Sequence, residues 1–238
     1  MIKVITSKDN PKVKFVASLR DNKTREENRL FIGESKKSLD LALKANLVKE
    51  VYTYEALDID ESIPQYLVNE NVMKKLSTSK NPEGVIFVCN YPNIKKDNYN
   101  KILYLDEVND PGNLGTMIRT ALAFNFDAVV TSPNSVSIYN DKVLAACKGS
   151  NYLIPVFSKP LNEIKKDHSI IVTTLSDDSI DVNDLVKPAK FILIMGNEAH
   201  GVSKEITKLA DIKLKISIFN IDSLNVAVAA GIVMHKLA

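Results

Sequence analysis

"FILIMGNEAHG", residues 191–201, is an apolar run that stops abruptly: Phe191 to Met195 give way to Gly196, Asn197 and Glu198, and Gly201 precedes a helix-like segment. Five apolar residues without alternation suit a strand buried on both faces, as in a parallel sheet. Ligands on such sheets sit beyond the carboxyl ends of the strands, which is where this polar loop begins. Gly196 and Gly201 stand as in G-x-x-x-x-G, but Val202 and Ser203 follow where a phosphate-binding loop needs Lys and then Ser or Thr. The loop therefore lacks the cation of a phosphate loop.

Around it the later half alternates strand-like and helix-like stretches: "ILYL", "NLGTMIRTALAF", "AVVTS", "KVLAACKG", "YLIPVF", a helix leading to His168, "SIIVTTL", "FILIMG", "SKEITKLA", "IKLKI" and "LNVAVAAGIVMHKL". This pattern predicts a mostly parallel sheet covered by helices on both faces. Three loops then leave strand ends, after Leu175, Met195 and Ile216. Before them, "NYPNIKKDNYN" is polar, rich in Asn and Lys, and carries Pro92, the composition of an interdomain linker. We expect a small α/β module over residues 1–92, a linker over 93–100 and the parallel-sheet domain over 101–238. In the first module "PKVKFVASLR" and "SKKSLDLALKA" suit helices, and "VKEVYTY" and "GVIFVC" suit strands.

Composition narrows the class. With 238 residues, 45% hydrophobic and 25% charged, the chain has the make-up of a soluble globular protein with a sizeable core. Its N-terminal stretch has no apolar core of signal-peptide length, and no apolar run approaches the roughly 18 residues of a membrane span. Cys89 and Cys147 lie in apolar surroundings, as buried thiols in a reducing cytosol would. A cytoplasmic location is expected. Net charge is only +2, but residues 1–40 hold ten Lys or Arg against six Asp or Glu, leaving the remainder slightly acidic. A basic segment can supply the sequence-independent phosphate attraction of nucleic-acid binding, and a solvated surface is the alternative.

Two helices pose a charge puzzle. In "DEVNDPGNLGTMIRTALAF" the turn chemistry of "NDPGN" makes Asn113 a natural helix N-cap. Arg119 is the only charge between Asn113 and Phe126, on a helix otherwise apolar or small all round. Such a helix is expected to be buried, and a buried arginine needs an anion. That anion is either a structural carboxylate or a bound phosphate or reacting group. The last helix, with Ser223 as its expected N-cap and Asn225 in its first turn, is uncharged and small-residue-rich to Met234. It should pack closely on all sides, in a core or at a subunit interface. His168, His200 and His235 lack metal-ligand spacing, no G-x-S-x-G elbow occurs, and no G-x-G-x-x-G follows a first strand.

Together "LDEVNDPGNLGTMIRTALAFNFDAVV", "FILIMGNEAHGVS" and "ISIFNIDSLNVAVAAG" resemble the three ordered motifs of the SpoU/TrmH RNA ribose 2′-O-methyltransferases, of the SPOUT superfamily. The resemblance covers residues 101–238. "ITSKDNPKVKFVASLRDNKTREENRLFIGE" and "LSTSKNPEGVIFV" are similar to the substrate-binding domain often fused to these enzymes. The resemblance implies a deep trefoil knot and a homodimer. It also implies S-adenosylmethionine held by Gly196, Asn197, Ile216, Ile218 and Leu224, with Thr174 and Leu175 beside them, through backbone groups along 196–198 and 216–224. Transfer of methyl to a ribose 2′-hydroxyl would follow, on ribosomal RNA ahead of transfer RNA. A transfer-RNA ribose methyltransferase is one alternative, and an RNA-binding protein that keeps the pocket without catalysis is another.

In the family the arginine matched by Arg119 is the activating residue, usually acting across the dimer. It would act as a base, or as a clamp on the adjacent phosphate that stabilises the developing alkoxide. Asn113, Glu198, Ser223 and Asn225 match the other polar motif positions and would orient Arg119, the RNA and the loops. Lys12, Lys14, Arg20, Lys23 and Arg25 are the candidate RNA contacts. The sequence departs from the family pattern where Ser217 replaces a common Pro after Ile216, which implies a less rigid loop. It also departs at Ala145, where a basic residue is common, and at Ser35, where Gly is frequent.

Overall fold

A computed structural model describes residues 2–94 and 98–238; residues 95–97 of the expected linker lie outside the described residues. The chain forms two compact units, Met1–Asn93 with Tyr139–Ala145, and Ile94–Ile138 with Ala146–Ala238.

The elements of the first unit run β1 (Ile2–Ile5), α1 (Pro11–Ser18), α2 (Asn22–Asn28), β2 (Leu30–Glu34), α3 (Lys36–Lys44), β3 (Val48–Thr53), β4 (Gln65–Val68), α4 (Glu70–Leu76) and β5 (Val85–Asn90). Its five-stranded sheet has the order β1-β4-β3-β5-β2, parallel across β1, β4 and β3 and antiparallel where β5 meets β3 and β2. One face is sealed by Val13, Val16 and Leu19 beside α1 and by Val72, Met73 and Leu76 of α4, packed on Ile32, Tyr52, Tyr66, Ile86 and Val88. Asn10, Asp21, Ser35 and Asn69 each cap a helix through their side-chain oxygen, satisfying amides that would otherwise lack a partner.

The second unit contains β6 (Lys101–Leu105), α5 (Pro111–Ala123), β7 (Ala128–Thr131), the end of α6 (Asp141–Cys147), β8 (Val156–Ser158), β9 (Ser169–Thr173), β10 (Ile180–Asp181), β11 (Phe191–Met195), α7 (Lys204–Thr207), β12 (Ile212–Lys215) and α8 (Val226–Lys236). Its seven strands are ordered β10-β12-β9-β11-β6-β7-β8, and every neighbouring pair is parallel. All five residues of β11 are buried. Ile192 and Ile194 join Ile102, Tyr104, Ile170 and Val172 on one face, covered by Leu161, Ile164, Ile206 and Ala210. On the other face Phe191 meets Phe126 edge to face at 5.8 Å.

Two expected elements differ. The stretch leading to His168 holds only a 3-10 turn at Leu161–Glu163. "YLIPVF" yields a strand only from Val156, because Pro155 lacks the amide a ladder needs. The register fixes where the site forms. Met195 pairs with Leu105, Leu105 with Thr131, and Leu214 with Thr173. The loops that begin at Thr174, Gly196 and Ile216 therefore leave the sheet at one level, beside the loop that follows Leu105.

Candidate active site

Gly196 is buried at the end of β11, and a Cβ there would overlap the backbone of Gly201 and Val202. The glycine is thus required by the chain's own close approach. Asn197 and Gly201 close the loop, with Asn197 N–H donating to Gly201 O at 3.0 Å and Gly201 N–H returning to Asn197 O at 2.9 Å. Gly201 makes the turn at φ +68°, a left-handed conformation that glycine adopts without penalty. The Asn197 side chain also serves the loop: its Nδ2 donates to Glu107 O at 2.8 Å, and its Oδ1 accepts from Ala199 N–H at 2.8 Å. The backbone polar groups of Asn197, expected to read a ligand, are already engaged.

Beyond this loop the sheet ends in a cavity of about 420 Å³. It is lined by Thr174 and Leu175 after β9, by Gly196, Asn197 and Glu198 after β11, and by Ile216, Ile218 and Leu224 after β12. Ser223 and His200 also border it. All seven residues expected to hold a cofactor thus meet in one space, brought together by strand register from three distant parts of the chain. The volume lies within the roughly 300–1,000 Å³ of pockets that enclose small ligands, and mixed apolar and polar walls are usual for them.

Glu198 carries the site's polar wall. Its carboxylate accepts from Asn113 Nδ2 at 3.1 Å and from the Asp110 amide at 3.2 Å. Asn113 Oδ1 in turn accepts from Asn225 Nδ2 at 3.0 Å. Three of the five predicted catalytic residues form this single line. Ser223 borders the cavity, while Arg119 stands apart. It is exposed on α5, and no carboxylate among the described residues pairs with it. The expectation of a buried arginine is corrected. The stripe Gly112, Thr116, Arg119 and Ala123 faces outward, because small residues on a helix also suit a surface that something else covers.

The expected caps shift as well. Asp110 caps α5, accepting from the Asn113 amide at 2.7 Å, with Pro111 in the first helical position. Asn225, rather than Ser223, caps α8 through the Ala227 and Val228 amides. That last helix is not packed on all sides: Ala227, Ala230, Val233 and Met234 are buried, but Val228 and Ile232 are 53% and 40% exposed.

Asp106 escaped the sequence reading. It is buried, and its Oδ2 accepts from the Ser203 amide at 2.8 Å, fixing the chain as it leaves the β11 loop. An acidic residue directly after the apolar run of β6 was the available signal. Burial pushes the phenol of Tyr104 up to about 12, with Asp106 adding to the effect, so Tyr104 stays neutral at physiological pH. Ser217, expected to loosen its loop, instead donates both its amide and its hydroxyl to Asp181.

In the first unit the basic candidates divide. Arg25 is buried, its guanidinium donating to Leu19 O at 3.0 Å and to Arg20 O at 2.5 Å, so it cannot reach an RNA phosphate. Lys12 is paired with the buried Glu50 at 2.6 Å. Lys14 and Lys23 are exposed and make only surface pairs with Asp9 and Glu27. Arg20 is exposed and donates to Ser77 O. Among the described residues no cluster of His, Cys, Asp or Glu could hold a metal ion, and no helix is long and apolar enough to cross a membrane.

A parallel sheet whose carboxyl-end loops enclose a cavity lined by the Glu198 carboxylate and the Asn197 amide defines an α/β enzyme with a small-ligand site. Residues 100–235 match the SpoU rRNA Methylase family, and residues 10–86 match the MRM3-like substrate binding domain. The chain belongs to the SpoU rRNA methylase family. It is 32% identical to the 23S rRNA (guanosine(2553)-2′-O)-methyltransferase RlmP of Bacillus subtilis, over 99% of both chains. The AdoMet-bound rRNA methyltransferase of Sinorhizobium meliloti is 27% identical and superimposes with a TM-score of 0.90, over 99% of this chain and 97% of that one. The SpoU methyltransferase AviRb of Streptomyces viridochromogenes, 18% identical, shares the fold with a TM-score of 0.84 over 96% of both chains.

Proposed function

We propose that the protein transfers a methyl group from S-adenosylmethionine to a ribose 2′-hydroxyl of ribosomal RNA, on a guanosine of 23S rRNA as the Bacillus subtilis relative does. The observation that carries this is the cavity walled by the loops after β9, β11 and β12, which include the second and third motifs. Its fit to the cofactor rests on two features: a volume suited to a small ligand, and apolar walls at Leu175, Ile216, Ile218 and Leu224 interrupted by loop backbone and the Glu198 carboxylate. Those walls and Gly196 would hold S-adenosylmethionine, which when bound supplies an electrophilic methyl group.

The chain's own residues supply position and charge. Glu198, Asn113 and Asn225 tie the β11 loop to the starts of α5 and α8, so the cavity wall keeps one shape while RNA approaches. An arginine carries its charge throughout the physiological pH range, so we assign Arg119 the clamp role: it holds the phosphate next to the target ribose and stabilises charge developing on the 2′-oxygen. Arg119 shares no hydrogen bond with that line among the described residues, which favours its acting on the cavity of a second copy. We infer a homodimer formed through the outward stripes of α5 and α8, two helices that meet where Phe124 contacts His235 edge to face and that carry the exposed Arg119, Val228 and Ile232.

A trefoil knot is proposed from the family resemblance, and the strand order is compatible with it. The chain reaches β8 at one sheet edge, crosses to β9, and only later inserts β11 into the slot between β9 and β6. The N-terminal unit is proposed to bind RNA through Lys14, Arg20 and Lys23, with Arg25 supporting Arg20 from beneath.

The test is transfer of labelled methyl to unmodified 23S rRNA and to transfer RNA, with the products digested to nucleosides. The expected outcome is 2′-O-methylguanosine from 23S rRNA alone. Label confined to transfer RNA would move the substrate, and label on a base would overturn the reaction.

A further inference from the structure

Ile216 and Ile218 both line the cavity, whereas Ser217 between them does not. The loop after β12 therefore alternates, and what holds Ser217 on the outside decides how far the two isoleucines project inward. Asp181 does this. Its Oδ2 accepts from the Ser217 hydroxyl at 2.5 Å and from the Ser217 amide at 3.2 Å. Its Oδ1 accepts from the amide and the side chain of Asn183, both at 2.8 Å. Each carboxylate oxygen is thus held by two donors, and the group is fixed in direction as well as place.

The segment that ends at Asp181 begins at the adjoining cavity wall, since Thr173 pairs with Leu214. Thr174 and Leu175 line the cavity, and Ser179 Oγ donates to Thr174 O at 3.2 Å. Between these points β10 pairs with β12, Asp181 opposite Lys215. One short stretch, 174–181, therefore shapes one wall with its first residues and pins the adjoining wall with its last. We propose that Asp181 is a positioning residue of the cofactor site: through Ser217 it holds the loop that turns Ile216 and Ile218 into the cavity.

The role is separable from folding. The same two segments are joined independently by the Asp178–Lys213 ion pair at 2.6 Å and by the β10–β12 ladder, so cutting the tether leaves the strands together. Ser217 is exposed, and removing its hydroxyl opens no hole in the core.

This inference rests on the reading of the cavity as the S-adenosylmethionine site. Titration calorimetry of S-adenosylmethionine into the full chain tests both and tells them apart. The variants are Asp181→Ala, Ser217→Ala, their combination, and Ser217→Thr, which keeps the hydroxyl. Each single Ala variant should bind about three- to tenfold more weakly, the range expected for one lost hydrogen bond. The double variant should be no weaker than the weaker single one, and Ser217→Thr should bind as the wild type does. In methyl transfer, KM for S-adenosylmethionine should rise with kcat preserved at saturation. If Asp181→Ala fails to fold because the Asn183 contacts are lost, the Ser217 pair alone decides. Wild-type affinity in Ser217→Ala, or fully additive losses in the double variant, would overturn the proposal and leave the cavity reading intact. A wild type that does not bind S-adenosylmethionine would overturn the cavity reading itself.

Discussion

Asn225 donates its side-chain amide to Asn113 at 3.0 Å, joining the N-cap of the last helix to the first turn of a helix 112 residues earlier. Each partner has a second task. Asn225 Oδ1 caps α8, and Asn113 Nδ2 holds Glu198 at the cavity wall. The bond therefore couples both helix starts to the β11 loop.

Asn113→Ala and Asn225→Ala should each destabilise the protein by about 1 kcal/mol, with a coupling of about 0.5–1.5 kcal/mol in a double-mutant cycle. Urea unfolding of the four chains measures this. Additive losses would show that the contact contributes nothing of its own. Asn225→Ala should cost the more stability of the two, because it also removes a helix cap.

Arg119→Ala should leave stability within about 0.5 kcal/mol of wild type, as expected for an exposed residue that pairs with no carboxylate among the described residues. Methyl transfer should nevertheless fall by about 100-fold or more, the scale of losing one stabiliser of transition-state charge. Arg119→Lys should recover only part of it, since an ammonium lacks the bidentate fork. Paired melting curves and single-turnover rates settle the point, and an active Arg119→Ala enzyme would remove the residue from the mechanism.

How much of this was legible in the sequence depends on which physical signal each residue leaves. The buried strands were plain, because apolar runs such as "FILIM" and "KILYL" record burial on both faces, and three polar loops after such runs located the cavity. Caps were misplaced by two or three residues. "NDPGN" contains several good capping types, and Pro111 was the decisive clue, since proline favours the first helical position and so makes Asp110 the cap. Arg119 was misread because a helix of small residues has the same pattern whether its outer face meets its own core or awaits another surface. Asp181 left no signal. Its role follows from a strand pairing of two residues, Ile180–Asp181 with Leu214–Lys215, which no periodicity announces.

Ser35 caps α3 with φ 88° and ψ 147°, a region in which a side chain is strained and glycine is at ease. Relief of strain is worth about 1–3 kcal/mol, whereas replacing a Ser cap by Gly costs only a few tenths. Ser35→Gly should therefore raise stability by about 1 kcal/mol or more, and Ser35→Ala should lower it by removing the cap without relieving the strain. Thermal unfolding of the two variants checks the sign of each. A destabilised Ser35→Gly would show that the cap outweighs the strain.

The Asp141 carboxyl is held above its ordinary value of 3.8 by burial, against the pull of Arg20 and Arg25 and with a further push from Glu34. A carboxyl raised on folding is disfavoured when ionised, so it is neutral to stability below its unfolded value and destabilising once pH passes its folded one. Asp141→Asn should therefore match wild type well below pH 3.8, gain on it as pH rises through the folded value, and keep that advantage at pH 7. Urea midpoints of the two chains across that range measure the difference. A gap that closes with rising pH would show that the arginines outweigh burial at this position.

The most direct test of the whole account is to locate the methyl group. Unmodified 23S rRNA is incubated with enzyme and S-adenosylmethionine, and the fragment around the guanosine equivalent to 2553 is analysed by mass spectrometry, with Arg119→Ala in parallel. The account predicts one added methyl on the ribose of a single guanosine, absent with the Arg119 variant. A methyl on a nucleobase, or equal modification by both enzymes, would contradict it.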